Sequence, residues 1–586
     1  MRALASVPHR VGDERATVHP IVLPITSRGL VVTDRVCWAI LGVAMVVAAA
    51  LILYLNRGTT YYFDEVEFLL ETPGLGDGNV LDPHNGHLIA ITRILYKALL
   101  ETNGPDYIPF RLLAVGTVLL STGLFYALVK RRIGAVTALA PAVVLLFLGS
   151  AWQHVAVPIG FTPIFAIAAG LAALLALERR DRGGDIGACA LLGLSVATYT
   201  TGLPFVVGAA ISVLLRPDRR RRSWIFVVPL VLYAAWWLWS LSEPASAQEG
   251  TRLANLLLIP AWTVESVASV LAAVSGLGFD FDATVPPAVN PAWGHVLAVP
   301  AVIGLLLRIR RGKVPVALWV SLGIVLTWWA LGALAYLELP LSETARAPNS
   351  VRYVYMGAVG VFLVAAAAAS SIRFSRLGLA VLFAACGISI ALNAAALRDG
   401  SEYFRDVSTM TRTEFAMIEL ARDQVDPSFE AAQVDASSPS SLVDSPAGAY
   451  LAVVDRYGSP APPLAELERQ PEDAREYADR VLIGALGLGL EPAKSPPSNQ
   501  GCVRARSRQA SQSIEVGLPP AGARLRAEAA EPAPLRIGRF ADRPTTQVGS
   551  LPTAGTRVLA IPGDESAQPW EASVTGVSSV TVCPLS

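Results

Sequence analysis

The run Tyr61-Tyr62-Phe63-Asp64-Glu65-Val66-Glu67-Phe68 puts three carboxylates within four positions. On a helix, Asp64, Glu67 and Glu71 share one face, while Glu65 points elsewhere, toward Phe68 and Leu69. Apolar neighbours raise a carboxylate's pKa and make it a better general base. Downstream lies Asp82-Pro83-His84-Asn85-Gly86-His87, which holds two of the six histidines, three residues apart. Arg111 and the pair Arg352-Tyr353, with Arg346 nearby, supply cations at the edges of apolar runs. An arginine at that depth is costly unless paired, and a phosphate is a partner that suits it. Asp64 and Glu65 are therefore the candidate bases. Glu67, His84, Asn85, His87, Arg111, Arg352 and Tyr353 are the candidate substrate-binding residues.

Each of these residues has an ordinary structural alternative. Acids just outside a span can be solvated, and Asp82, Asn85 and the His-x-x-His spacing suit the capping of a following helix. Arg352 can snorkel to lipid headgroups. Asp64, Glu65, His84 and His87 offer one alternative as ion ligands, but no C-x-x-C or Cys/His spacing marks a zinc site. The sequence predicts no resident metal or cofactor.

The elements that position these residues follow from hydropathy. The chain has 586 residues, 53% hydrophobic and 16% charged, against about 25% charged in soluble proteins. Mean hydropathy is +0.48. The apolar residues gather in runs near 36–55, 109–129, 133–149, 161–177, 186–199, 204–215, 224–241, 293–307, 314–336, 354–370 and 377–397. That predicts about eleven membrane-spanning helices. Basic clusters fall after every second run: Lys130 to Arg132, Arg179 to Arg182, Arg216 to Arg222, Arg308 to Lys313, and Arg373 with Arg376. The N-terminal tail carries Arg2, Arg10, Arg15, Arg28 and Arg35. The positive-inside rule then predicts a cytoplasmic N-terminus and an extracytoplasmic C-terminal domain. The first run is too long for an ordinary signal peptide and lacks a bounded A-x-A site, so it is read as a retained span. Net charge is zero, and nothing suggests nucleic acid.

The expected organisation has four parts: a cytoplasmic tail (1–35), a membrane module (36–397) with exterior loops 56–107 and 242–291, a helical linker region (398–500), and a small β-sandwich (501–586). Segment 253–274 is apolar but carries Glu265 and Pro260, which favours a helix lying at the interface. Residues 87–101 read as an in-plane amphipathic helix. Leu88, Ile91, Leu95 and Leu99 form its apolar stripe, Arg93, Lys97 and Glu101 stack beside it, and Gly104-Pro105 ends it. Residues 401–422 show a helical face of Phe404, Val407, Phe415 and Ile418. Strands are expected near 513–517, 524–527, 535–540, 557–561 and 574–582. Cys37, Cys189 and Cys386 sit in apolar runs; Cys502 and Cys583 are the two cysteines outside them, where an oxidising compartment predicts a disulfide.

An acidic Asp-Glu pair opening a large exterior loop after one cytoplasmic tail and one span resembles the GT-C class of membrane glycosyltransferases. That class includes protein O-mannosyltransferases, aminoarabinose transferases and mycobacterial arabinosyltransferases. FDEVEFL, DPHNGHL, the segment Ser150-Ala151-Trp152-Gln153, and the tail around Gly538 to Asp542 and Pro569-Trp570 also resemble uncharacterised actinobacterial multispan proteins. The GT-C resemblance implies an all-α polytopic bundle followed by an α+β tail. It also implies a polyprenyl-phosphate sugar as donor, an envelope glycan or lipid as acceptor, and Asp64 or Glu65 as base. The competing functions are a lipid-linked glycan transporter or flippase and a non-catalytic glycan-binding scaffold. A transporter favours charged residues or broken helices at mid-membrane in repeated halves, which the sequence does not show. His154 and Trp152 can line the same cavity or join an aromatic belt.

Overall fold

A computed structural model of the chain describes residues 22–23, 30–31, 33–72, 79–242, 253–279, 288–336, 347–435, 445–493, 501–507 and 513–585. Arg2, Arg10, Arg15, Arg28 and Arg346 lie outside these residues. Two short N-terminal strands, β1 (Val22–Leu23) and β2 (Leu30–Val31), precede the helices. The helices follow in order: α1 (Asp34–Leu55), α2 (Asp64–Glu71), α3 (Ala90–Asn103), α4 (Ile108–Ile133), α5 (Ala135–Leu146), α6 (Trp152–Val155), α7 (Phe161–Glu178), α8 (Arg182–Thr198), α9 (Leu203–Leu214), α10 (Arg219–Arg222), α11 (Trp224–Ser240), α12 (Ile259–Ser275), α13 (Ala292–Arg310), α14 (Val316–Leu334), α15 (Val351–Ala368) and α16 (Arg376–Leu420).

Eight helical segments among the described residues are long and apolar enough to cross a membrane. A ninth is the bent pair Ala135–Leu146 and Gly149–Val155, and two shorter apolar helices cover Thr200–Leu214 and Trp224–Ser240. The chain is a multi-pass membrane protein. Side-chain caps set several starts: Thr33 accepts from the Val36 amide, Asp181 from Gly184, and Ser375 from Gly378.

One face of the bundle gathers the basic clusters. Lys130 pairs with Asp34 at 2.9 Å, Arg131 with Glu178 at 2.6 Å and Arg222 with Asp185 at 2.6 Å. Arg308 donates to the Ala368 carbonyl at the ends of α13 and α15. The opposite face carries α2, α3 and the C-terminal domain, and is called the tail face below.

Segment Leu253–Ser275 meets the length and hydropathy test for a span, yet its contacts lie along one face. Trp262 packs on Tyr336, just past the end of α14, and on Tyr353 at the start of α15. Glu265 meets His295 and Ala268 abuts Gly294 at the start of α13. The other end, Ala273 and Val274, accepts hydrogen bonds from Asn393 and Ser389 of α16. At 1.5 Å per residue, Asn393 stands about 25 Å above the start of α16. Both ends of α12 therefore meet the tail-face portions of their neighbours.

The tail begins without a break. Residues 377–397 and 401–422, read as separate helices from sequence, form the single 45-residue α16. Gly400 does not interrupt it because it is a packing residue; a Cβ there would strike the Trp152 ring. The expected apolar face holds, with Phe404, Val407, Phe415 and Ile418 all buried. Three more helices follow: α17 (Ala447–Tyr457), α18 (Leu464–Leu467) and α19 (Glu472–Ala485).

The strands of the C-terminal region are β3 (Glu491–Pro492), β4 (Val503–Arg506), β5 (Ile514–Gly517), β6 (Gly522–Glu528), β7 (Ala533–Gly538), β8 (Thr546–Leu551), β9 (Arg557–Ala560), β10 (Glu571–Val574) and β11 (Ser579–Pro584). They build two antiparallel sheets, ordered β3-β9-β6-β11-β4 and β5-β10-β7-β8. The strand expected at 574–582 is split: Val574 ends β10, a turn through Gly576 (φ +76°) follows, and 579–582 belong to β11. The Cys502–Cys583 disulfide forms, closing an 81-residue separation. Asp479 of α19 is fully buried and accepts the backbone amides of Arg539, Phe540 and Ala541, fastening the sheets to the tail helices.

Candidate active site

The site is built from the loop between α1 and α4. The segment Asp64–Glu71 is helical, so Asp64, Glu67 and Glu71 fall on one side as the spacing predicts. Phe63 enters it at φ +53°, which turns the chain sharply after α1.

His84 and His87 do not cap a helix. Their backbones bond to each other both ways, at 3.1 and 2.8 Å, across Asn85 (φ +50°) and Gly86 (φ +73°). Asn-Gly suits the two positive φ angles of such a hairpin turn. The helix starts later, at Ala90, and stops at Asn103 with Gly104 (φ +63°) as its cap. Its protein-facing side is not the apolar stripe. Thr92, Arg93, Tyr96 and Leu100 are buried, while Ile91, Leu95 and Leu99 are half-exposed. Arg93 turns inward to Glu71 at 2.9 Å, leaving only Lys97 and Glu101 as the expected pair.

Asp64 and Glu65, neighbours in sequence, occupy opposite environments. Glu65 has no exposed surface. Its carboxylate accepts from the Tyr96 hydroxyl at 2.6 Å, the Tyr107 hydroxyl at 2.5 Å and the Tyr62 amide at 3.1 Å. Burial pushes its pKa up, and the two hydroxyls and the amide offset this only in part, leaving it at about 7. Asp64 also lies deep, but about a third of its side chain (32%) stays open, so it lines a recess. Burial would raise its pKa; the His84 contact and the Arg352 charge outweigh that and hold it below the usual carboxylate value.

His84 is buried between two acids. Its Nε2 stands 3.5 Å from Asp64 and its Nδ1 3.5 Å from Glu67. Burial alone would lower its pKa, but the two carboxylates raise it to about 10, so the ring is an imidazolium. Asp64, Glu67 and His84 also bring donor atoms within 4.8 Å of one another, a spacing a divalent ion can use. The carboxylates approach opposite ring nitrogens, and that arrangement matches a doubly protonated ring better than one shared ion. Glu65, in its tyrosine cage, is outside this cluster.

Arg352 is half-buried, and among the described residues it makes no hydrogen bond or ion pair. Its charge acts on Asp64, on Tyr62 and on His154. The Tyr62 side chain lies near Gln153 and Tyr403, with its ring edge-on to Phe404 of α16 at 5.4 Å. Segments distant in sequence thus converge: the end of the first loop segment, the 150–154 turn, the start of α15 and the middle of α16. His87 sits close enough to act on Asp64 and is held by Thr200 at 2.7 Å, its ring against Tyr199. The Asn85 side-chain amide lies 3.2 Å from His84 Nε2, where its oxygen, not its nitrogen, suits a protonated ring.

No known protein family matches the sequence, and no curated protein matches it. Among solved structures, the chain is similar to ArnT from Cupriavidus metallidurans bound to undecaprenyl phosphate. The identity is 13% and the TM-score 0.44, over 71% of this chain and 84% of that one. The apo state of the same protein gives 14% identity and a TM-score of 0.32, over 75% and 91%. A likeness this distant carries no functional argument, which rests instead on the residues themselves. The likeness to actinobacterial multispan proteins has no support from these comparisons.

Two sequence candidates stand apart from the cluster. Arg111 donates to the Thr59 carbonyl at 2.5 Å and lies over the Tyr107 ring, behind the Glu65 cage. Tyr353 faces Trp262 and Trp328. Sequence reasoning missed the tyrosines of the cage, Tyr96 and Tyr107, and the partner role of Tyr62. Their only sequence signal is a polar aromatic on an apolar face, which does not distinguish a ligand from a core residue.

The Glu65 environment has a consequence for stability. A carboxyl whose pKa rises from 4.5 unfolded to about 7 folded binds its proton more tightly in the native state. Its contribution is therefore greatest below the unfolded value and declines as pH rises through about 7. The decline amounts to about 3 kcal/mol, since one pKa unit is worth ~1.4 kcal/mol. Thermal melting of the detergent-solubilised protein at pH 5 and pH 6.5, below the range in which the raised His84 pKa adds a decline of its own, should show a drop that Glu65→Gln largely removes. Equal drops in both proteins would rule the cage out as its source.

Proposed function

We propose that this chain is an inverting membrane glycosyltransferase of GT-C type. It moves a sugar from a polyprenyl-phosphate donor to an envelope glycan or lipid on the outer face of the cytoplasmic membrane. The observation that carries the reading is Asp64, kept ionised and open to a recess at the tail face, with the Arg352 guanidinium, which has no hydrogen-bond or ion-pair partner among the described residues, acting on it.

In this reading the bundle has eleven spans, with α12 lying in the interface. The arginine-rich face is cytoplasmic and the tail face outside. Residues 1–35 form the cytoplasmic tail, 36–397 the membrane module, 398–500 the helical region and 501–586 a β-sandwich. Nucleotide sugars are not available on the outer side, so a lipid-linked donor arriving laterally is the available substrate.

The chemistry follows from the positions. Asp64 takes the proton of the acceptor hydroxyl as that oxygen attacks the anomeric carbon. The bond between that carbon and the phosphate oxygen breaks, and its electron pair leaves with the polyprenyl phosphate. Arg352 offers charge-assisted hydrogen bonds to the departing phosphate, with the His84 imidazolium and His87 nearby. One base and one displacement invert the sugar carbon. Glu65 takes no part in proton transfer; closed in by three hydrogen bonds, it holds α2 against α3 and the start of α4. Glu67 orients His84.

The test is a comparison of envelope glycans and lipids between a deletion strain and its parent. Loss of a specific sugar substituent, with its polyprenyl-linked donor accumulating, is expected. An unchanged glycan and lipid profile would reject the reading.

A further inference from the structure

The turn that brings Gln153 and His154 to the site is held by one side chain deep in the bundle. Between α5 and α6 the chain bends by 48°. At this break the Ser150 amide and hydroxyl both donate to Asn393 Oδ1, each at 3.0 Å. Asn393 Nδ2 donates to the Ala273 carbonyl at the end of α12, at 2.9 Å, and to the Ser389 carbonyl at 3.1 Å. Asn393 is 1% exposed, so every polar position of its amide is used within the protein. The packing around it is as tight. A side chain at Gly149 would run into the Asn393 carbonyl, and one at Gly400 into Trp152. The turn therefore rests directly on the α16 backbone, with Trp152 against Tyr403. Trp152 and Tyr62 thus both pack on neighbouring residues of α16, Tyr403 and Phe404, which brings Gln153 near Tyr62, two positions from Asp64.

We propose that Asn393 is a positioning residue for transfer: by anchoring Ser150 to α16 it fixes Gln153 beside Tyr62, two positions from Asp64. Asn393 touches no reacting atom. Its effect on transfer rests on the glycosyltransferase reading; its effect on the turn does not.

The two halves of the amide separate the roles. Asn393→Asp keeps the acceptor for Ser150; facing two carbonyls at 1% exposure its other oxygen takes up a proton, so one donor toward Ala273 or Ser389 is kept and the other is lost. Asn393→Leu loses the acceptor and both donors. The experiment uses the full chain in membranes, with Cys37, Cys189 and Cys386 replaced by alanine and the pair Tyr62→Cys and Gln153→Cys introduced. Tyr62 reaches Gln153 through the end of its side chain, so the two Cβ atoms are too far apart for a direct disulfide; crosslinking of the pair by a bifunctional thiol reagent that bridges about 8 Å reports the turn's position. Transfer is read separately, with Tyr62 and Gln153 intact, as sugar incorporation restored to the deletion strain.

Crosslinking should be near the reference rate in Asn393→Asp. It should be slowed about tenfold or more in Asn393→Leu, as expected for losing a buried hydrogen-bond acceptor. Transfer should fall in the same order. A crosslinking rate unchanged in Asn393→Leu overturns the proposal. So does slowed crosslinking with full transfer, or equal losses in both variants that track only their melting temperatures. Should Asn393→Leu fail to fold, Asn393→Ala takes its place, since it removes the acceptor for both Ser150 bonds without overfilling the site, and an unchanged crosslinking rate there overturns the proposal equally. Asp64→Asn is the separate control. If it restores sugar incorporation fully, the glycosyltransferase reading is lost while the crosslinking result still decides the geometry.

Discussion

Asp64→Asn is expected to lower sugar transfer by about 10²–10⁴-fold, the usual contribution of a general base. Asparagine keeps the size and can still meet His84, but it cannot accept the acceptor's proton. The deletion strain complemented with this variant should resemble the uncomplemented one, with normal amounts of the protein in its membranes. The neighbouring substitution Glu65→Gln should behave differently. Glutamine is nearly isosteric, and Tyr96 and Tyr107 can reorient their hydroxyls, one donating to its oxygen and one accepting from its amide. Transfer should remain within a few-fold of the unaltered protein, since hydrogen bonds of this kind contribute only about 1 kcal/mol net. The contrast between two adjacent acids is the informative result. If Glu65→Gln were inactive and Asp64→Asn active, the assignment of the base would be reversed. If both were fully active, neither would be catalytic.

The reason one sequence position can be so unlike the next is helical geometry acting on burial. Successive residues on α2 point about 100° apart. Asp64 therefore faces the recess and the His84 imidazolium, while Glu65 faces inward to Tyr96 and Tyr107. The sequence already separates the two faces, because the 64–67–71 spacing is local. It does not reveal which face looks onto the recess, since that depends on α3 and α4 packing against α2. The same division runs through the whole chain. Apolar runs and alternating arginine clusters make the membrane helices legible, because each needs only about 20 residues of one character. The disulfide is legible because only two cysteines lie outside those runs. The hairpin at His84-Asn85-Gly86-His87 is also locally encoded, since Asn-Gly is a strong turn signal and outweighs the capping propensity of Asp82 and Asn85. What local pattern cannot supply is the convergence of residues 62, 153 and 352 with α16. That depends on contacts across some three hundred positions, held by groups such as Asn393 whose type alone is uninformative. The unbroken course of α16 through Gly400 is another case. A glycine reads as a breaker until its partner, Trp152, is known.

Arg352→Ala is expected to lower transfer by about 10²–10³-fold, the range for removing one preorganised donor to a developing anion. Arg352 has no hydrogen-bond or ion-pair partner among the described residues, so its loss leaves no buried carboxylate uncompensated and should barely affect folding. That distinguishes it from Arg93, whose removal would strand Glu71. The loss has a second consequence at Asp64. The Arg352 charge is one of the influences that lower the Asp64 pKa; without it, that pKa moves back up toward the ordinary carboxylate value. The acidic limb of the pH–rate profile should therefore shift to higher pH in Arg352→Ala. Arg352→Lys should leave that limb closer to its original place, because the charge is kept. Its rate should recover only partly, because an ammonium cannot offer the paired, planar donors that a phosphate accepts from a guanidinium. The measurement is the pH dependence of initial transfer rates in membranes for the three proteins. Full activity in Arg352→Ala with an unshifted acidic limb would mean that the guanidinium serves the lipid surface alone, and the leaving phosphate would need another partner.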